Sequence, residues 1–319
     1  MTLPPQPTAL YRDNPVLVVG PHPEGVEIEQ DGETLIVPEA DLTPLSLSTP
    51  LPNLAVPERQ PVTILVANNA GGVGKTSLTV ALAHLFASWG LSVALFDLDP
   101  QANATTFSGV LRDIEDGETL HALLHSGTTF PDLIPVHGYH LLPSSAVLRE
   151  TAREIVRQEG YDLLRPHLST LRDRYDLILM DCGPSLDALA TAGGLVSDFV
   201  LTPSSTSVKG LDGFQGAAGF VQELRDLGNA NIRTCLFVPT LHRNNTRAER
   251  RAYEQMVKGL PAPLLATPIM RNQKWVDAAE AGRPVTAYAP KSPAAQQAER
   301  LARELLTAIG WDNEGEDVA

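Results

Sequence analysis

Residues 62–77 read VTILVANNAGGVGKTS, an apolar run that leads into a glycine-rich turn, a lysine and a threonine. The next residues, LTVALAHLFASWG, have the apolar spacing of an amphipathic helix. A buried strand, a glycine loop and a helix in this order are typical of a phosphate-binding loop, whereas a glycine turn alone would not be. The stretch therefore predicts an α/β protein that holds a polyphosphate.

Each part of this loop has a predicted role toward the phosphates. Glycine lets consecutive backbone N–H groups approach the oxygens because no Cβ atom intervenes, and the helix N-terminus adds partial positive charge. Lys75 is predicted to reach the β- and γ-phosphates, and the Thr76 hydroxyl to bind Mg²⁺. The predicted nucleotide-binding residues are Gly71, Gly72, Val73, Gly74, Lys75, Thr76 and Ser77.

Length and charge limit the possibilities. The 319 residues allow one α/β domain of about 250 residues and an appendage. A net charge of −14 argues against nucleic-acid binding over the whole surface, but residues 233–303 carry 12 Lys and Arg against 5 Asp and Glu. No apolar run approaches the ~18 residues typical of a membrane span. Cys182 and Cys235 match no metal-site spacing, and a reduced cytoplasm is the simplest compartment.

The chain divides into three predicted parts. Residues 1–60 form a β-rich extension and a Pro-rich linker, residues 61–308 an α/β domain that contains the phosphate loop, and residues 309–319 an acidic tail. Strands in the extension are predicted at Asn14–Val19, Val26–Glu29 and Thr34–Val37, with a hairpin turn at Asp31-Gly32. The extension is either a separate meander that binds a partner or a strand added to the main sheet.

From Pro61 onward, strand and helix signals alternate, which predicts a mostly parallel sheet with helices on both faces. The predicted strands are Val62–Val66, Ser92–Asp97, Tyr139–Leu142, Leu177–Asp181, Phe199–Thr202, Arg233–Val238 and Leu264–Ile269. The predicted helices after the loop helix are Ala146–Gln158, Leu163–Arg174, Leu211–Asp226, Thr246–Val257 and Pro293–Leu306.

Three aspartates follow predicted strands at the edge where such sheets bind ligands. Strand-terminal aspartates often only begin turns, but Mg²⁺ needs oxygen ligands and hydrolysis needs a positioned water. Asp181 is predicted to join Thr76 in the Mg²⁺ site through a water, with Asp97 as a supporting member of that site. Asp99 lies beyond its strand and is predicted to orient the attacking water, so Lys75 and Asp99 are the candidate catalytic residues.

Three segments together resemble the ParA/MinD family of deviant Walker ATPases. They are AGGVGKTS at 70–77, FDLDPQANAT at 96–105 and YDLILMDCGPS at 175–185, and the segment 268–306 resembles the end of the ParA branch. The resemblance covers residues 61–308. The chain departs from the family pattern at Ala70, where the family has a second lysine, at Ala102, where it has glycine, and at Cys182-Gly183.

The resemblance implies an ATP-dependent switch. ATP and Mg²⁺ would be held in a homodimer that binds DNA nonspecifically, and a ParB-type partner would stimulate slow hydrolysis. Such a protein segregates chromosomes or plasmids in the cytoplasm, associated with the nucleoid. By position, Pro268 would contact the adenine. Positioning of a protein cargo through an adaptor is the alternative within the branch, and the missing lysine favours it.

A basic segment is the candidate DNA surface. Arginines crowd LHRNNTRAERRAY, and two further cations follow the next predicted strand. A solvent-exposed helix face is the simpler interpretation, whereas a dimer would present two such patches to DNA phosphates. The candidate DNA-binding residues are Arg243, Arg247, Arg250, Arg251, Arg271 and Lys274.

Three other functions are weighed against this one. A MinD-like membrane ATPase needs a basic amphipathic C-terminus, but this chain ends in WDNEGEDVA. A cluster-assembly ATPase needs paired cysteines, which Cys182 and Cys235 do not provide. A nucleotide-dependent scaffold that does not hydrolyse ATP remains open because of Ala70. We hypothesise that Lys209, in the segment PSSTSVKGLDG, reaches the partner's ATP in place of the missing lysine.

Overall fold

The computed structural model describes the five strands within residues 9–44 by their backbone, and residues 60–124, 129–242, 247–259 and 266–311. The chain separates into two compact units, Met1–Ala55 and Val56–Ala319. None of the helices in these ranges combines the length and apolar character needed to cross a bilayer.

The first unit is an antiparallel sheet with the strand order β4-β3-β2-β1-β5. The three predicted strands are confirmed as longer elements, and none of the five described strands belongs to the seven-stranded sheet of the second unit. The predicted turn at Asp31-Gly32 lies outside the described residues. The strands are Ala9–Tyr11 (β1), Asn14–His22 (β2), Gly25–Gln30 (β3), Glu33–Val37 (β4) and Leu42–Pro44 (β5).

The second unit contains a seven-stranded sheet with the order β12-β11-β6-β10-β7-β9-β8. All pairs are parallel except β8 with β9, and the predicted mostly parallel sheet is confirmed. The strands are Val62–Val66 (β6), Val93–Asp97 (β7), Ile134–Val136 (β8), Tyr139–Leu142 (β9), Leu177–Asp181 (β10), Phe199–Ser205 (β11) and Arg233–Thr240 (β12).

Helices follow most of these strands, and short 3₁₀ turns occur at Asp116–Glu118, Leu120–Leu124 and Arg165–His167. The helices are Lys75–Ser88 (α1), Asn103–Phe107 (α2), Leu148–Gln158 (α3), Leu168–Arg172 (α4), Ala188–Gly194 (α5), Val208–Asp226 (α6), Arg247–Gly259 (α7), Gln273–Glu280 (α8), Val285–Tyr288 (α9) and Pro293–Ala308 (α10).

The sheet is buried on both faces because successive side chains of each central strand point to opposite sides. On one face Ile64 and Leu179 belong to a core with α1 and α10. On the other face Leu65 and Met180 belong to a core with α3, α5 and α6. Largely apolar strands are therefore needed in the centre, and every residue of β6 and β10 is buried.

Two predicted elements are wrong in detail. The helix predicted at Leu163–Arg174 begins later, because a 3₁₀ turn that contains Pro166 precedes the short α4. The strand predicted at Leu264–Ile269 does not form in its described part, residues 266–269. Ala266 and Ile269 donate backbone hydrogen bonds to β12, but Pro268 has no N–H to continue the ladder.

Candidate nucleotide-binding site

The loop between β6 and α1 has the backbone that a phosphate loop requires. Gly72 and Gly74 have φ of 69° and 87°, in the left-handed region that glycine adopts without strain. Gly74 is the N-cap of α1 and brings no side chain to the helix end. The first backbone N–H groups of α1 are therefore directed toward the loop, where an anion would be favoured.

Lys75 begins α1 and is held against the loop. Its Nζ donates hydrogen bonds to the carbonyl oxygens of Asn68 at 3.0 Å and Ala70 at 2.8 Å. The side chain is only 6% exposed, and this burial lowers the pKa of the ammonium group, whereas nearby Asp181 raises it. Nζ is therefore a donor at the loop that could pass from these carbonyl oxygens to the phosphate oxygens of a bound polyanion.

Thr76 and Asp181 meet at the end of β10. The Thr76 hydroxyl donates to Oδ2 of Asp181 at 2.8 Å, and the Thr79 hydroxyl lies 3.0 Å from Oδ1. Asp181 is fully buried beside Asp97, and burial, with the neighbouring Asp97 charge, raises the pKa of Asp181 to about 8. A hydroxyl and a carboxylate oxygen are hard ligands of the type that Mg²⁺ prefers, so these residues fit that ion. Among the described residues, no group of three or more His, Cys, Asp or Glu could hold a metal by itself.

The other two predicted aspartates differ in their surroundings. Asp97 is the last residue of β7, and burial raises its pKa to about 7 although Thr105 donates hydrogen bonds to it. Asp99 is 5% exposed in the turn after β7, and its Oδ1 accepts a hydrogen bond from the backbone N–H of Gln101. A Cβ atom at Gly183 would lie 3.2 Å from Cγ of Asp99. The structure therefore brings Asp99 next to the loop that follows Asp181.

Asn68 is a site residue that the sequence reasoning missed. It is completely buried, its Nδ2 donates to the Pro203 carbonyl oxygen at 2.7 Å, and its Oδ1 accepts the Ala70 N–H at 2.8 Å. It thereby fixes the start of the phosphate loop to the end of β11. An asparagine between an apolar strand and a glycine turn was the available signal. Thr105 was also missed, although it ends the quoted segment DLDPQANAT.

Pro268 and Lys209 are the two predicted ATP contacts outside the loop sequence itself. Pro268 is half-buried beside the end of β12, at the same edge of the sheet but two strands from β6. Lys209 is in the first turn of α6, directly after β11, but its side chain is outside the described part of the structure. Their predicted contacts with ATP stay predictions.

The candidate DNA-binding residues lie on different elements of the structure. Arg247, Arg250 and Arg251 are exposed on α7, whose opposite side buries Ala252 and Met256. Arg271 is exposed between β12 and α8 in the chain.

Lys274 is a weaker candidate for DNA contact than these arginines. Its Nζ lies 2.9 Å from Oδ2 of Asp277 and 5.9 Å from the centre of the Tyr288 ring, so its charge already has partners. Arg243 lies outside the described residues.

Comparisons with known proteins agree with this geometry. The family model of an AAA domain matches residues 62–234. The chain is 32% identical over 252 residues to the chromosome-partitioning ATPase Soj of Thermus thermophilus, covering 77% of this chain and 96% of Soj. It is 33% identical over 250 residues to a probable plasmid-partitioning protein ParA of the same organism, covering 76% of this chain and 77% of that protein.

Solved structures support the fold. The structure of a McdA variant from Cyanothece in complex with ATP matches with a TM-score of 0.70 at 21% identity, covering 79% of this chain and 98% of McdA. A putative plasmid partition protein from Borrelia burgdorferi bound to AMPPNP matches with a TM-score of 0.66 at 22% identity, covering 77% and 99%. With the family match and the Soj relationship, these findings show that the chain belongs to the ParA/MinD family of P-loop ATPases.

Proposed function

We propose that this chain binds ATP with Mg²⁺, dimerises around it and hydrolyses it slowly, as a switch that partitions or positions a cargo. One observation carries the proposal. The phosphate loop, the Thr76–Asp181 contact and Asp99 all lie at the carboxyl ends of β6, β10 and β7, which are neighbours in the sheet. Ligands bind at this edge of parallel sheets, especially where the strand order reverses.

The loop residues would bind the triphosphate. The backbone N–H groups of residues 71–77 would surround its oxygens, and Lys75 would exchange its two carbonyl acceptors for phosphate oxygens. Thr76 would bind Mg²⁺ directly and Asp181 through a water, with Asp97 supporting Asp181 from the next strand. When bound, the ion would neutralise charge on the β- and γ-phosphates.

Asp99 would orient the attacking water. It lies past the end of β7, beyond the predicted Mg²⁺ ligand Asp181, and is near enough to Lys75 to influence its pKa. A carboxylate that positions water, without a strong base next to it, gives slow hydrolysis that a partner can stimulate.

Two observations support the proposed partner and the proposed DNA-binding surface. Relatives are named as chromosome- and plasmid-partitioning proteins, and α7 exposes three arginines on one segment of an otherwise acidic chain. We infer nonspecific DNA binding by an ATP-bound homodimer, a ParB-type or cargo-adaptor partner, and a cytoplasmic location on the nucleoid. A local basic surface is sufficient to attract DNA, because the phosphates interact with the electrostatic field close to the protein surface.

A protein cargo is the second candidate, and Ala70 at the position of the family's second lysine favours it. A scaffold that binds ATP without turnover is the third. Steady-state ATP turnover with and without DNA separates the switch from the scaffold. Turnover that DNA stimulates supports the switch, and binding of ATP with no turnover under any condition supports the scaffold.

The experiment on Asp99 tests the proposed division of roles. Asp99→Ala should retain ATP affinity and ATP-dependent dimerisation while hydrolysis falls by about 10²-fold, since only the water loses its orientation. Asp113→Ala, in the exposed loop after α2, is the matched control and should match the unmodified protein. Hydrolysis at the normal rate by Asp99→Ala would show that another group orients the water.

A further inference from the structure

A closed set of hydrogen bonds surrounds the backbone of Asp99. Oδ1 of Asp97 accepts the N–H of Asp99 at 3.1 Å. Oδ2 of Asp97 accepts both the N–H and the hydroxyl of Thr105, at 2.8 and 2.7 Å. The end of β7, the turn after it and α2 are therefore joined through one carboxylate.

Ser144 completes this set from the next strand. It follows β9, which pairs with β7, and its hydroxyl donates to the carbonyl oxygen of Asp99 at 2.6 Å. The N–H of Ser144 donates to Oγ1 of Thr105 at 2.9 Å. Both backbone polar groups of Asp99 are thus tied to side chains, and the Thr105 hydroxyl donates to Asp97 while it accepts from Ser144.

The residues that make these hydrogen bonds are buried, so the bonds determine the position of the Asp99 backbone. Asp97, Thr105 and Ser144 are each at most 2% exposed, so water cannot replace a broken bond at little cost. On its other side Asp99 has little room, because a Cβ atom at Gly183 would already lie 3.2 Å from its carboxylate carbon. The direction of the carboxylate therefore depends on where the network holds the Asp99 backbone, together with the hydrogen bond that Oδ1 accepts from the Gln101 N–H.

We propose that Thr105 and Ser144 are positioning residues for hydrolysis, which hold Asp99 where it can orient the attacking water. This inference rests on the proposed function. Neither hydroxyl belongs to the phosphate loop or to the predicted Mg²⁺ ligands, and each acts through Asp97 or the Asp99 backbone. Loss of either one should therefore affect the hydrolysis step more than ATP binding.

Thr105 offers a sharp test because valine has nearly its shape but no hydroxyl. Thr105→Val removes the hydrogen bond that the hydroxyl donates to Asp97 Oδ2 and the one that it accepts from the Ser144 N–H. Thr105→Ser keeps both. Thr106→Val is the matched control one residue along α2, since that hydroxyl is exposed and contacts only the Ala102 carbonyl oxygen in its own turn.

ATP affinity is measured by titration calorimetry and hydrolysis by single turnover on the full chain. Thr105→Val should lower the single-turnover rate by about 10- to 100-fold, the loss typical of a misplaced catalytic group. Its ATP affinity should change by no more than about threefold, which is under 1 kcal/mol. Thr105→Ser should recover most of the rate, and Thr106→Val should behave as the unmodified protein.

Ser144→Ala gives an independent measurement, because it removes the side-chain donor to the Asp99 carbonyl oxygen and leaves the Ala102 backbone N–H as the other donor. Ser144→Ala should also lower the single-turnover rate while it leaves the ATP affinity nearly unchanged. Normal rates in both Thr105→Val and Ser144→Ala, beside a slow Asp99→Ala, would overturn the inference and leave the proposed function intact. Loss of folding in both variants, or loss of affinity in step with rate, would show a structural role and also overturn it. An unmodified protein that does not hydrolyse ATP would instead contradict the proposed function itself.

Discussion

The hydroxyl of Thr76 and the carboxylate of Asp181 lie 2.8 Å apart, although the two residues are 105 positions apart in sequence. The contact joins the first turn of α1 to the last residue of β10. It also brings together the proposed direct ligand of Mg²⁺ and the carboxylate proposed to reach the ion through a water. The phosphate loop and the proposed metal site are therefore one structural unit.

This contact predicts how Mg²⁺ should affect ATP binding. Thr76→Val removes the proposed direct ligand and keeps the approximate shape of the side chain. The gain in ATP affinity on adding Mg²⁺ should shrink in this variant, while affinity measured in EDTA should stay within about threefold of normal. Titration calorimetry with and without Mg²⁺ measures both quantities. An unchanged gain from Mg²⁺ would remove Thr76 from the metal site.

The packing of α6 on the loop predicts a pair of opposite stability effects. A Cβ atom at Gly213 would lie 2.7 Å from Oδ1 of Asn68, whereas one at Gly219 on the same helix would meet nothing within 4 Å. Gly213→Ala should destabilise the protein by about 1–3 kcal/mol through overpacking. Gly219→Ala should stabilise it by about 0.5–1 kcal/mol through helix propensity. Urea unfolding measures both, and equal effects would contradict the close contact at Asn68.

Much of the fold follows from local patterns in the sequence. The largely apolar strand Leu177–Asp181 and the glycine loop at 71–74 are strong signals, because a central strand is buried on both faces and a phosphate loop needs glycine. Even the aspartates at the strand ends could be identified, since the carboxyl ends of parallel strands meet at one edge.

The support for the site could not be predicted in the same way. Ser144 contacts Asp99 across 45 positions of sequence, and no motif surrounds it. Asn68 is held by its hydrogen bond to the Pro203 carbonyl oxygen and fits only because Gly213 has no side chain. Both contacts depend on the tertiary structure. A strand was predicted at Leu264–Ile269 from its apolar residues, but in the described part, residues 266–269, proline interrupts the regular pairing.

The arginines of α7 predict a salt-dependent interaction with DNA. Changing both Arg250 and Arg251 to alanine should weaken DNA binding and flatten its salt dependence by about one unit of slope for each DNA phosphate that is no longer bound. ATP hydrolysis without DNA should remain, since α7 is separate from the phosphate loop. The matched control is Arg149→Ala with Arg153→Ala, on the exposed side of α3. DNA affinity that responds neither to salt nor to the α7 changes would exclude this surface.

The hypothesis for Lys209 concerns the charge at the proposed dimer interface. Two triphosphates that face each other without the family's second lysine need another cation, because unpaired charge in a dry interface is costly. The first turn of α6 is well fixed, since the Ser207 side chain caps it and a Cβ atom at Gly210 would lie 1.7 Å from the Ser205 carbonyl oxygen.

Lys209→Ala should therefore abolish ATP-dependent dimerisation while the monomer still binds ATP. Adding Ala70→Lys to that variant should restore the dimer at least in part, because it returns a cation at the family's position. The backbone carbonyl at position 70, which accepts from Lys75, is kept. Lys291→Ala, an exposed lysine elsewhere, is the control. Normal dimerisation of Lys209→Ala in analytical ultracentrifugation would refute the hypothesis.

The most direct test of the account is the affinity of Lys75→Ala for ATP. Lys75 is the buried cation of the phosphate loop, and its removal should eliminate charge-assisted hydrogen bonds of about 1.5–3 kcal/mol. Titration calorimetry should show ATP affinity lowered by at least about 10-fold, with Lys291→Ala unchanged and both proteins folded. If folded Lys75→Ala binds ATP as tightly as the unmodified protein, the loop at 71–77 is not the nucleotide site.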